Sequence, residues 1–209
     1  MRYHSFVSIY RLKPLFQDLL RPIVQCLVRL GVTANFVTIF SMILSIVVGV
    51  VLVFGIQEKI LFLIIPITLF VRMALNAIDG MIAKEHNMKT NLGVFLNELS
   101  DVISDTALYL PFALIPGTSS FLIISIVIQS ILSEMAGVIS VQIGSSRRYD
   151  GPMGKSDRAF VFGLLAILYV VFETSFVIQW ADTIYWIING LILVTIVNRV
   201  HSALKEKNG

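Results

Sequence analysis

Long apolar runs, broken by short polar clusters, dominate the chain. Windows near residues 36–57, 60–80, 92–115, 119–143, 160–180 and 183–200 are each long and apolar enough to cross a bilayer, which takes about 20 residues. The pattern predicts an all-α integral membrane fold of six transmembrane helices, with residues 1–209 forming a single domain. Ahead of these runs, residues 11–30 are amphipathic. Leu12, Phe16, Leu19, Ile23, Leu27 and Leu30 recur at three- and four-residue steps, while Arg11, Asp18, Gln25 and Arg29 fall elsewhere on the wheel. Too polar to span, the segment is expected to lie in the interface as an N-terminal amphipathic helix, apolar face down. It runs into Gly31-Val32-Thr33-Ala34-Asn35, where Gly31 can end one helix and Thr33 or Asn35 can cap the next. On one membrane side the expected connections (57–59, 116–119 and 179–182) are short. On the other they are longer and more polar, which puts any site for water-soluble groups at that mouth.

Composition sharpens this picture. The chain is 56% hydrophobic and 14% charged, whereas globular domains carry roughly 25% charged residues, so an ordinary soluble domain is excluded. Cys26 is the single cysteine, which rules out an internal disulfide and a Cys-rich metal site. The first residues, MRYHSFVSIYRLKP, lack the apolar core of a secretory signal, and no cleavage is expected. With six spans, one side receives Arg2, Arg11, Lys13, Arg21 and Arg29, the 81–91 and 144–159 loops, and the tail with Arg199, Lys205 and Lys207. The other side receives only Lys59. Cations accumulate in the cytoplasm, so both termini are expected there. The net charge of +3 then reflects topology and anionic lipid, and no nucleic-acid partner is inferred. A bacterial inner membrane suits this compact chain; an internal eukaryotic membrane is the alternative.

Polar residues near hydrocarbon call for an explanation, and they cluster at 76–105. Asn76 and Asp79 are three apart and share a helix face, while Asn97, Asp101 and Asp105 form a stripe at four-residue steps. Gly80, Ala83 and Gly93 remove side-chain bulk, which would admit a ligand between two helices. Converging carboxylates suit hard divalent cations. Alternatively, Asn76 and Asn97 hydrogen-bond across the helix pair, as polar residues in membrane bundles do. The spacing N-x2-D-G-x2-A-K-x8-G-x3-N-x3-D resembles the signature D-x2-D-G-x2-A-R-x8-G-x3-D-x3-D of the CDP-alcohol phosphotransferase family. Asn76 and Asn97 stand where that signature has aspartates, and Lys84 where it has arginine. Asn87 and Thr90 in the loop, and the similarity of residues 31–35 to the family's Gly-x-Thr-Pro-Asn segment, add to the resemblance.

The resemblance implies transfer of a phosphatidyl group from CDP-diacylglycerol to an alcohol acceptor with release of CMP, supported by Mg²⁺ or Mn²⁺, in a homodimer. By position it makes Asp101 the general base and also a metal residue, together with Asp79, Asn76 and Asn97. Asp79, Gly80, Ala83, Lys84 and Gly93 would hold the CDP moiety. An amide carbonyl adds no negative charge, so a second divalent ion is expected to bind more weakly. Lys84 keeps the arginine's charge without its bidentate fork. The alternative reading is a catalytically weakened or inactive relative that binds CDP-lipid or scaffolds a lipid-synthesis enzyme. A small transporter ranks last, since the polar residues cluster at one face and no broken helix is evident.

Other charges sit in or near the spans. Arg72 extends the Asn76–Asp79 face by about two turns, and an ion pair of Arg72 with Asp105 or Glu134 is expected because unpaired charges there are costly. A substitute metal-ligand role for Asp105 or Glu98 is the sharper alternative, with Glu98 lying roughly 100° around the helix from Asn97. Glu173, near the outer end of its span, is given no role. Between the fourth and fifth runs, Arg147, Arg148, Lys155 and Arg158 accompany Gly151 and Gly154. Topology explains some of these cations. Gly154-Lys155 just before a helix could also present N–H groups and an ammonium to a phosphate, although Walker A spacing is absent. Members of the resembled family that use phosphorylated acceptors often carry a Gly-Lys segment here. Arg147, Arg148 and Lys155 are accordingly candidate acceptor- or phosphate-binding residues.

Overall fold

The computed structural model describes the backbone of residues 12–172 and 174–208, and the side chains of 15–172 and 178–207. Arg2, Arg11 and Glu173 lie outside the described residues, as does most of the first segment. Among the described residues seven α-helices follow in order: α1 (Leu12–Arg29), α2 (Ala34–Phe54), α3 (Ile64–Glu85), α4 (Asn91–Tyr109), α5 (Ser120–Gln142), α6 (Lys155–Val171) and α7 (Thr174–Asn208). Short 3₁₀ turns at Lys59–Leu63 and Leu110–Leu114 lead into α3 and out of α4. No strand occurs among the described residues.

The helix ends follow from local chemistry. Gly31 takes φ +77°, and the Gly31 and Val32 N–H groups donate to the carbonyls of Val28 and Leu27, closing α1 with a Schellman turn. Thr33 then caps α2 by accepting the Phe36 N–H at 3.3 Å. Asn87, at φ +55°, turns the chain after α3, a conformation that asparagine tolerates better than most residues. Thr90 caps α4 through the Gly93 N–H at 2.9 Å.

Two compact units are present, one made of the described residues up to 42 with 70–100 and the other of 43–69 with the described residues from 101 onward. In the first, Leu20 and Val24 of α1 pack with Val37, Ile78, Met81 and Ile82, and Arg21 bonds Glu85 at 2.8 Å. The buried stripe of α1 is therefore not the whole apolar face read from the sequence. Leu19, Ile23 and Leu30 remain exposed beside Leu15, so α1 carries one apolar stripe for packing and a second facing outward. In the second unit the core is aromatic. Phe62 meets Phe112 and Tyr169 edge-on, and Tyr109 stacks on Phe162 at 4.0 Å. α5 and α7 are joined by Gln129 and Asn189 at 2.6 Å.

Polarity is arranged opposite to that of a water-soluble bundle. Ser41, Ser45, Ser104, Ser130 and Ser133 are buried, whereas Phe40, Ile43, Val47 and Val50 are exposed. Lipid demands this arrangement, since polar groups must find partners inside the protein. Among the described residues four helical segments are long and apolar enough to span: Ala34–Phe54, Lys59–Glu85, Ser120–Gln142 and Ile178–Lys207. The other two expected runs fall short for definite reasons. α4 carries Glu98, Asp101 and Asp105 within 19 residues, and α6 is only 17 residues long.

One boundary is corrected. The connection expected at 179–182 lies within α7, and α6 instead ends at Val171, with Phe172 extended. Asp182 looked like a loop residue, but its carboxylate accepts the Ser119 N–H at 2.8 Å. It thereby satisfies a backbone donor at the head of α5 that has no partner within its own helix.

Candidate functional site

Within the first unit a cleft of about 300 Å³ opens between α2, α3 and α4, at the lower end of the range for ligand pockets. Asp79, Gly80, Ala83 and Lys84 of α3 line one wall, and Gly93, Asn97 and Glu98 of α4 another. All five residues expected to hold the CDP moiety therefore line one cavity. The Asp79 carboxylate is buried and accepts the Thr38 hydroxyl at 2.8 Å. Thr38 in turn is anchored by its α2 position, from which its hydroxyl reaches the Ala34 carbonyl. Sequence reasoning did not single out Thr38 or Lys89 and read Asn35 as a helix cap, and all three also line the cleft.

The small residues have distinguishable uses. A Cβ on Gly80 would meet nothing within 4 Å, so this glycine does leave open space beside Asp79. A Cβ on Gly93 would come 2.7 Å from the Asn35 Oδ1 and 3.1 Å from the Thr90 Oγ1. Asn35 donates to Thr90 at 3.1 Å, and Gly93 makes room for this α2–α4 bond as well as lining the cleft. Asn76 is half-buried and does not line the cleft. Glu98, thought poorly placed, does.

The cleft's donors are therefore oxygens from Asp79, Asn97, Glu98 and the hydroxyl and amide groups of α2. Oxygen donors of this kind match one hard divalent ion, such as Mg²⁺ or Mn²⁺. Among the described residues no three His, Cys, Asp or Glu side chains are grouped to hold a metal.

The second unit holds a charged cluster built on α4, α5, α6 and α7. Lys155, at the first position of α6, forms an ion pair with Asp101. The structure thus brings together two residues that the sequence had assigned to separate sites. Deeper in this unit, the fully buried Arg158 bonds Glu134 at 3.0 Å and Asp105 at 3.2 Å. Asp105 and Glu134 are thus both paired with a cation that the sequence grouped among the loop charges. Glu134 also meets Arg199 at 3.4 Å and Arg147 at 3.5 Å. Arg148 is held by Asp150 at 3.1 Å and Glu206 at 3.0 Å. Arg199 and Glu206 entered the sequence reading as topology only or not at all; their separation from the loop, 49–60 residues in chain order, hid the contacts.

The loop before α6 is pinned to α7. Gly151 takes φ +119°, and a Cβ there would lie 2.6 Å from the Thr195 Cα. The Met153 N–H donates to the Thr195 hydroxyl at 2.9 Å. At the head of α6 the Gly154 N–H donates to Asp157 at 2.9 Å, so that backbone donor is met by the chain's own carboxylate.

Known proteins share this architecture. The family model for CDP-alcohol phosphatidyltransferase matches residues 31–197. An Escherichia coli (strain K12) inner membrane protein, YnbA, is 45% identical over 198 residues, covering 95% of this chain and 97% of that one. An uncharacterized protein of Aquifex aeolicus (strain VF5) is 37% identical over 103 residues, 49% of this chain and 48% of its own. The fold is that of Mycobacterium tuberculosis phosphatidylinositol phosphate synthase (PgsA1). Its crystal structure with CDP-DAG bound superposes with a TM-score of 0.70 at 18% identity, over 87% of this chain and 92% of that one. Its complex with manganese and citrate gives 0.70 at 19% identity, over 88% of each. Apolar helices with buried polar groups, together with an inner-membrane relative, make this an integral membrane protein. Matched over most of its length, from the turn at Gly31 to the middle of α7, the chain belongs to the CDP-alcohol phosphatidyltransferase family.

Proposed function

We propose that the chain transfers a phosphatidyl group from CDP-diacylglycerol to an alcohol, releasing CMP. The observation that carries this reading is the cleft in which Asp79, Gly80, Ala83, Lys84 and Gly93 meet, in a chain of this family. Asp101 takes the proton from the acceptor hydroxyl. The hydroxyl oxygen attacks the phosphorus next to the diacylglycerol, and the bond from that phosphorus to the CMP oxygen breaks. Lys84 offers its ammonium to the diphosphate, Gly80 lets the ligand approach the α3 backbone, and Thr38 fixes the Asp79 carboxylate. A Mg²⁺ or Mn²⁺ ion, which Asp79, Asn97 and Glu98 of the cleft would hold, would offset diphosphate charge and stabilise the departing phosphate. Arg147, Arg148 and Lys155 stand on the acceptor side.

The same reading has the chain act as one domain and as a homodimer, with six helices crossing the inner membrane. The loops rich in Lys and Arg face the cytoplasm along with both termini. The exposed stripe of Leu15, Leu19 and Ile23 on α1, with Leu30 just past its end, supports an interfacial position for that helix. Purified protein supplied with CDP-diacylglycerol, Mg²⁺ or Mn²⁺ and a panel of alcohols should release CMP and form a new phospholipid. Folded protein inactive against every acceptor would reject the reading.

A second reading, a non-catalytic relative that binds CDP-lipid or scaffolds a lipid-synthesis enzyme, is favoured by Asn76 and Asn97 alone. The double change Asn76→Asp with Asn97→Asp separates the two. Activity that appears only in the double variant makes the natural protein a binder.

A further inference from the structure

We infer that Lys89 is a further diphosphate-binding residue: with Lys84 and a single divalent ion, it supplies the positive charge that the cleft's carboxylates are too few to recruit as a second ion. This rests on the reading of the cleft as a CDP-lipid site and deepens it.

Charge decides what the cleft can hold. A diphosphate diester carries one ionised oxygen on each phosphorus, and a site for it must present matching cations. A Mg²⁺-like ion is held through one or two carboxylates together with the ligand's own phosphate oxygens. Among the described lining residues only Asp79 and Glu98 bear carboxylates, and Asn97 adds an uncharged carbonyl oxygen. That set suits one ion. A second would have to share the same carboxylates and would repel the first. Lys84 and Lys89 line the same cleft, and their two positive charges balance those of Asp79 and Glu98. One divalent ion then leaves a surplus that matches the diphosphate.

The backbone holds Lys89 at this rim. α3 ends at Glu85, and Asn87, at φ +55°, turns the chain. Directly after Lys89, the Thr90 hydroxyl accepts the Gly93 N–H at 2.9 Å and the Asn35 amide at 3.1 Å. These bonds tie the residue next to Lys89 to α4 and to α2, while the flexible stem of Lys89 leaves its ammonium free to follow a ligand. Among the described residues neither Lys84 nor Lys89 is ion-paired with an Asp or Glu, whereas the nearby Glu85 is taken by Arg21 at 2.8 Å. The positive-inside rule asks for cations in this loop, but it does not ask that they line a cavity.

The test uses full-length protein in detergent, titrated with CDP-dioleoylglycerol in the presence of Mn²⁺ and without any acceptor. Bound Mn²⁺ is counted by electron paramagnetic resonance. One Mn²⁺ per chain is expected in the lipid complex. Lys89→Gln should weaken lipid binding by roughly tenfold, the worth of about one hydrogen bond to a charged group, and Lys89→Arg should restore most of it. Mn²⁺ affinity measured before lipid is added should not fall in Lys89→Gln, which separates a ligand contact from a general loss of structure. Lys205→Gln, the same change of charge on the tail, should bind lipid as the wild type does. Wild-type lipid affinity in Lys89→Gln, or an equal loss in Lys205→Gln, overturns the role given to Lys89. A second Mn²⁺ bound to each wild-type chain overturns the single-ion site. Thermal melts check folding; should Lys89→Gln not fold, Lys89→Met takes its place, and the wild-type Mn²⁺ count decides the single-ion site by itself. Wild-type protein that binds the lipid but releases no CMP once alcohols are added rejects the transferase reading and leaves this inference standing. Folded wild-type protein that does not bind the lipid overturns both.

Discussion

In the proposed reaction Asp101 and Asp79 carry the chemistry, and the two are held in different ways. Asp101 is positioned by an ammonium from α6, Asp79 by a hydroxyl from α2. Asp101→Asn keeps the side chain's shape but removes the proton acceptor. Turnover should fall by roughly 100-fold or more, the usual worth of a general base, while nucleotide binding measured by titration changes little. Thr38→Val leaves a buried carboxylate short of one donor. It should lower the unfolding free energy by about 1.5–3 kcal/mol, the range for a hydrogen bond to a charged group, and weaken CDP-lipid binding. Chemical denaturation in detergent and a binding titration check both effects. Asp79 and the glycines around it were legible in the sequence because their spacing is local. Thr38 was not, since a threonine 41 residues away in an apolar helix carries no local sign of its partner.

Elements were legible where their ends carry turn chemistry. Gly31 with Thr33 marks a boundary that the structure places in the same position, whereas Thr90, read only as a loop residue, turns out to cap α4. The α6–α7 break at Phe172 has no glycine or proline beside it, whereas Gln179 and Asp182 mimic a loop. Local polarity therefore pointed to the wrong place, because Asp182 serves the end of another helix. In the loop ahead of α6, Gly151 and Met153 fasten the backbone to Thr195, a contact with a residue more than 40 positions away that has no local sign in the sequence. Gly151→Ala places a Cβ against that backbone at a φ that residues with side chains rarely adopt. It should cost at least about 2 kcal/mol, combining backbone strain with overpacking, seen as a lower melting temperature. At the other loop, Gly93→Ala should displace Asn35 and cost about 1 kcal/mol through the lost bond to Thr90.

Across the whole molecule, an all-helical membrane architecture followed directly from composition, and the family from one run of residues. What the sequence left unread was how its charges pair, because pairing depends on contacts that span the chain. Arg158 stood among the loop cations, yet it is buried between Asp105 and Glu134. Two missing carboxylates also have a consequence at this scale. Asn76→Asp with Asn97→Asp adds two negative charges, so Mn²⁺ affinity measured by calorimetry should rise by at least tenfold.

The most direct measurement of the central claim is CMP release from CDP-diacylglycerol by the purified wild-type protein beside its Asp101→Asn variant, across neutral and phosphorylated alcohols. Release of CMP with a stoichiometric new phospholipid in the wild type, nearly abolished in the variant, is the predicted result. Undiminished turnover in Asp101→Asn, or none in folded wild-type protein, would contradict the account.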